Sequence, residues 1–87
     1  MAEASTRSKP AEFATRTQLR SLGRLINRNR HNGVTATQVA DRAGRSIGYI
    51  SEITRGLLPG GRRVSVAEYQ RLRQIILSLA EEGSRGR

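Results

Sequence analysis

Cysteine is absent, which excludes a disulfide framework and any thiolate metal site. A lone histidine, His31, cannot build an imidazole cluster. Tryptophan is missing too, and one Phe and two Tyr are the only aromatics. Any core must therefore be made of Leu, Ile, Val and Ala. No apolar run approaches the ~18 residues that cross a bilayer, and no signal-peptide pattern opens the chain. These absences predict a cytoplasmic protein without a metal, a cofactor, a membrane partner or a small-molecule ligand.

Acidic residues are scarce as well. Seven Asp and Glu face sixteen basic residues, a net charge of +9, and fifteen of the sixteen are Arg. Guanidinium offers a planar fork of donors that suits phosphate. Such a field favours polyanions, nucleic acid first. The excess is local. Residues 13–63 carry ten Arg against Asp41 and Glu52, whereas residues 1–12 sum to zero. A polyanion is expected to meet the middle of the chain. Catalysis is not expected: no nucleophile–base set, metal cluster or nucleotide loop is spaced here. "GLLPGG" lacks the Lys of such a loop, and Glu81-Glu82 reads as a solvated helix end.

At 87 residues and 36% hydrophobic content, one small helical bundle is the economical fold, because each helix satisfies its own backbone. Residues 1–12 are small, polar and aperiodic and read as a disordered tail; 83–87 read likewise. Between them, residues 13–82 form the domain, an all-α bundle of four or five helices. The first helix is expected over Thr17–Arg30, opened by a capping box of Thr15 and Gln18. Leu19, Leu22, Leu25 and Ile26 share its inner face. Arg16, Arg20, Arg24 and Arg28 stripe the opposite face, as a solvated surface or a phosphate neighbour. Gly33 suits a left-handed cap, with Val34 folding back. A second capping box, Thr35 with Gln38, opens a second helix that ends at Gly44. Ser46 opens a third that runs to Arg55. Pro59, Gly60 and Gly61 forbid regular structure. A third capping box, Ser65 with Glu68, opens the last helix, lined inward by Tyr69, Leu72, Ile75, Ile76, Leu79 and Ala80 and fading near Glu82.

The stretch "ATQVADRAGRSIGYISEITRG" fits two short helices across a glycine turn. Ala40 lets them cross closely, Gly44 takes positive φ, and Ile50 with Ile53 anchors the third helix. Ile47, Gly48, Ser51, Glu52 and Arg55 then point outward. This is the pattern of a helix-turn-helix, whose second helix is available to a DNA major groove.

The motif "T-x-x-Q-V-A-x-x-A-G-x-S-x-x-Y-I-S-x-I-x-R-G" over 35–56 resembles the Xre/Cro/phage-repressor group of helix-turn-helix proteins, with the likeness extending over about residues 15–80. The resemblance implies a Cro/repressor-like fold, a homodimer and a role in transcription. It implies base reading by Ile47, Gly48, Ser51 and Glu52. It further implies phosphate or additional contacts by Ser46 and Arg55, with Arg62 and Arg63 following in the loop. Three departures matter. Arg45 replaces an often apolar residue and becomes a phosphate candidate. Thr54 replaces a frequent Glu. Ala36 stands where the group often has a polar phosphate clamp, which shifts that contact to Thr35 or Thr37.

Chemistry refines these roles. Glu52 only accepts hydrogen bonds, so a cytosine amine is its natural base partner. Ile47 suits a thymine methyl. One such domain covers few base pairs, and a dimer would place two recognition helices ~34 Å apart. Val66 and Leu77, beside the inner stripe of the last helix, are one candidate seam; Leu57 and Leu58 are the other. The expected function is a sequence-specific regulator of double-stranded DNA, a small repressor acting at a two-fold operator. Two alternatives stand beside it: an antitoxin-like module that needs a protein partner, and a non-specific architectural protein.

Overall fold

The computed structural model describes residues 13–85, and the tail expected over 1–12 lies outside them, as do Gly86 and Arg87. Four α-helices make up the described chain: α1 (Arg16–Arg28), α2 (Ala36–Ala43), α3 (Ile47–Thr54) and α4 (Val66–Arg85). A single 3-10 turn at Arg30–Asn32 lies in one connection, and in another Gly60 and Gly61 take positive φ, 61° and 75°, so Pro59–Gly61 is a tight turn rather than regular helix.

Each helix starts where a side chain can take up free amides. Thr15 Oγ1 accepts from the Gln18 amide at 3.1 Å, and Gln18 Oε1 accepts from the Thr15 amide at 2.8 Å. Thr35, Ser46 and Ser65 each accept from the amide three residues on, at 3.2, 3.0 and 3.0 Å, but the capping boxes expected of Thr35 with Gln38 and Ser65 with Glu68 stay half-made, since the Glu68 carboxylate is drawn to Arg45, Arg71 and Tyr49 instead.

The two short helices end by one device. After α2, Gly44 (φ 71°) donates to the Asp41 carbonyl and Arg45 to that of Ala40. After α3, Gly56 (φ 82°) donates to Ile53 and Leu57 to Glu52. These paired bonds satisfy the last carbonyls and require a left-handed residue, which only glycine adopts without strain. The same 6→1 bond, from the Val34 amide to the Asn29 carbonyl at 3.3 Å, closes the turn after α1. α1 therefore stops at Arg28, two residues before its expected end, and Arg30 begins a tighter turn.

The core is wholly aliphatic. Leu19, Leu22 and Ile26 of α1 meet Val39, Ala40 and Ala43 of α2, Ile50 and Ile53 of α3, and Leu72, Ile76 and Leu79 of α4, with Val34 and Val64 from the connections. No polar or charged residue is buried among the described residues. Each large side chain so placed contributes about 1.5–3 kcal/mol by leaving water. Leu25, Tyr49, Tyr69, Ile75 and Ala80 pack half-buried at its margin.

Two close approaches depend on glycine. A Cβ on Gly23 would sit 2.9 Å from the Thr54 carbonyl oxygen, so the α1 backbone lies directly against the end of α3 there. A Cβ on Gly83 would fall on the Asn32 carbonyl. That contact explains a correction: α4 does not fade at Glu82 but continues through Gly83, Ser84 and Arg85, docked on the turn after α1. The chain before α1 is tied to the chain before α4, with Phe13 bridging Ser65 and the Ala14 amide donating to the Val64 carbonyl at 2.8 Å.

Candidate nucleic-acid interface

α3 presents its outer side as expected from its spacing. Ile50 and Ile53 point inward and are 1% and 0% exposed, whereas Ile47 is 52% exposed. Gly48 is exposed; Ser51 and Glu52 are half-buried. Ser51 is already engaged, because Arg55 Nη2 donates to its hydroxyl at 3.2 Å and Arg55 Nε to its carbonyl at 3.4 Å. Arg55 thus lies along its own helix with part of its fork turned to solvent. Ser46 is exposed and spends one lone pair on capping.

The expected phosphate contacts are spread over several places. Thr35, at the start of α2, and Arg55, at the end of α3, line one groove together with side chains of α1. Thr37 is exposed on α2. Arg62 and Arg63 are exposed in the loop before α4, and the Arg63 guanidinium stacks 5.2 Å from the Phe13 ring centre. Arg45 is diverted. Its Nε donates to Glu68 Oε2 at 3.1 Å, and its guanidinium lies 5.0 Å from the Tyr49 ring centre.

Glu68 is a hub that local sequence reading does not reveal. Its side chain is only 13% exposed. It takes Arg45 at 3.1 Å, Arg71 Nη1 at 3.5 Å and the Tyr49 hydroxyl at 3.2 Å. Arg71 also donates to the Ala43 carbonyl, at the end of α2. One carboxylate therefore clamps both short helices onto α4. Burial first, then the negative charge of Glu68, pushes the Tyr49 phenol above the ordinary tyrosine range. A second link is bidentate: Arg42 donates to both Glu82 oxygens at 3.2 and 3.1 Å. The hydrogen bond first, and the charge of Arg42 second, hold the Glu82 carboxyl below the ordinary carboxylate range. Glu82 is thus a tie to α2, while Glu81 pairs with Arg85 at 3.0 Å.

The groove is the site that the sequence reading did not assemble. It encloses about 680 Å³ between α1, the start of α2 and the end of α3. Four arginines line it: Arg20, Arg24, Arg30 and Arg55. Gly23, Ala36, Thr35 and Thr54 are among the small residues between them. The four-residue repeat of Arg20 and Arg24 was the visible signal; the arrival of Arg30 and Arg55 on the same space was not, since it depends on how the helices cross.

The chain was compared with family models, curated proteins and solved structures. None of the three gives a match. Among the described residues, no three His, Cys, Asp or Glu gather as a metal site, and no helix is long and apolar enough to cross a membrane.

The candidate dimer seam is divided. Leu57 is 50% exposed, but its neighbour Leu58 packs against the core. Val66 and Leu77 are both half-buried on one face of α4. Eleven residues apart, they stand roughly 16 Å from each other along the axis.

Proposed function

We propose that the protein is a sequence-specific double-stranded-DNA-binding regulator, a small repressor acting as a homodimer on a two-fold operator. In this reading α2, the Gly44 turn and α3 are a helix-turn-helix, and α3 enters the major groove. The observation that carries it is the division of α3. One side is locked into the core by Ile50 and Ile53, and the other offers Ile47 and Gly48 to solvent. The surrounding field supports it, since residues 13–63 carry a net +8. Exposed Gly48 leaves the start of α3 without a side chain, so a base edge can approach the backbone there. The bracing of both short helices by Glu68 supports it further, because a reading helix must be held rigidly.

Selection from a random duplex library at about physiological salt tests this reading. A two-fold symmetric consensus is the expected outcome, with half-sites one helical turn apart. A single asymmetric half-site would keep base reading and remove the dimer. Binding without any enriched sequence would favour the architectural role, because phosphate contacts alone carry no sequence information. Within the consensus, Glu52→Ala is expected to relax preference at one position, a loss of about 1–3 kcal/mol in discrimination. An unchanged preference profile would remove Glu52 from base reading.

A further inference from the structure

The arginine groove does not belong to the outer face of α3, yet Arg55 is common to both. Arg20 and Arg24 reach it from successive turns of α1, Arg30 from the following turn, and Arg55 from beyond α3. None of the acidic residues of the described chain lines it. The ion pairs found among the described residues are Arg42–Glu82, Arg45–Glu68, Arg71–Glu68 and Arg85–Glu81, and none uses a groove arginine. Among the described residues the groove gathers positive charge with no carboxylate on its lining, whereas around Glu68 the charge is paired.

We infer that this groove seats backbone phosphate of the bound duplex, with Arg20, Arg24 and Arg30 as its contacts and Arg55 joining it to α3. The inference deepens the proposed function and rests on it. The chemistry selects phosphate over an apolar or planar ligand. No aromatic side chain lines the groove, so nothing there stacks on a base. The lining is dominated by guanidinium forks, which match two oxygens of a phosphate at once. Thr35 Oγ1 accepts from the Gln38 amide and keeps its own O–H free to donate. The helix dipole of α2 adds partial positive charge beside Ala36. Ala36 puts only a methyl group at the start of α2, so a phosphodiester can come close to the backbone there. The groove also explains how the chain manages with Ala36 at its second-helix start: the anchor is displaced onto α1.

The test compares two charge-matched double variants of the full chain. Arg24→Gln/Arg30→Gln empties part of the groove. Arg16→Gln/Arg73→Gln removes the same charge from exposed positions outside it. Affinity for a selected duplex and for a random duplex is measured across a salt series, with circular dichroism checking that both variants fold. Each phosphate contact contributes about 0.9 to the slope of log K against log salt. The groove variant is expected to lose about 1–2 units of slope, and roughly 10–100-fold in affinity on both duplexes alike. The control is expected to keep nearly the wild-type slope. Equal losses in the two variants would overturn the groove assignment and leave the proposed function standing. A loss confined to the selected duplex would overturn it too, assigning these arginines to bases. Absence of duplex binding by the wild type would overturn the underlying reading instead. Saturable amide shifts at Gly23 and Ala36 with inorganic pyrophosphate would then mark a site for a free phosphorylated ligand.

Discussion

Two glycines that look alike in the sequence do opposite jobs. Gly44 has open space where a Cβ would be, but its φ of 71° strains any other L-residue. Gly23 sits in an ordinary helix, where Ala is favoured by about 1 kcal/mol, but its space is taken by Thr54. Gly44→Ala should therefore lose about 1–2 kcal/mol to backbone strain alone. Gly44→Asn should lose less, because Asn tolerates the left-handed region. Gly23→Ala should be destabilised by overpacking of about 1–3 kcal/mol, which outweighs the propensity gain. Urea midpoints of the three variants decide the matter. A Gly23→Ala variant more stable than wild type would mean that α1 and α3 separate easily, and that the contact is not tight in solution.

At the scale of elements, the clamp on α4 is the device that holds the two short helices in place. Glu68→Ala removes the acceptor for Arg45, Arg71 and Tyr49 together. A loss of about 1–3 kcal/mol is expected in urea unfolding, since charged hydrogen bonds at a largely buried carboxylate are broken. The Tyr49 phenol gives an independent readout. Its pKa is raised in the folded state, so its contribution to stability is full below the ordinary tyrosine pKa of about 10 and is lost as pH rises through the higher folded value. In a Tyr69→Phe background, ultraviolet titration should find Tyr49 ionising later than free tyrosine, and Glu68→Ala should bring it back part of the way. Ionisation at the ordinary pH would show that the packing around Tyr49 is loose. The sequence reading reached the elements but not this clamp, for a physical reason. Caps and turns are local: Thr15 with Gln18, Ser46, and Gly44 each name their partner within a few residues. Periodicity likewise sorted Leu19, Leu22 and Ile26 inward. Glu68 meets Arg45 across 23 residues, and Arg42 meets Glu82 across 40. Such pairs follow from which helix rows come to face each other, and no local period records that. The groove was half legible for the same reason, since its α1 arginines form a stripe while Arg30 and Arg55 arrive only through the fold.

Over the whole molecule, the excess of positive charge opposes folding. Ten arginines against two carboxylates lie in residues 13–63, and folding brings them closer than the open chain would. The ion pairs act the other way, but each has an arginine end at least 45% exposed. Exposed pairs contribute about 0–1 kcal/mol each, and salt weakens them. The repulsion acts over longer distances, and the screening length falls from about 30 Å at 0.01 M to about 10 Å at 0.1 M. Screening should therefore relieve more repulsion than it removes attraction, and the melting temperature should rise between those two salt concentrations. The Arg24→Gln/Arg30→Gln variant should melt higher than wild type at 0.01 M and lose that advantage at 0.1 M. At matched ionic strength, pyrophosphate should raise the wild-type melting temperature more than chloride does, since a ligand of the folded groove stabilises by mass action. A melting temperature that falls with added chloride would mean that the links to Glu68 and Glu82 outweigh the repulsion, and the fold would then be held by its few acids rather than strained by its many arginines.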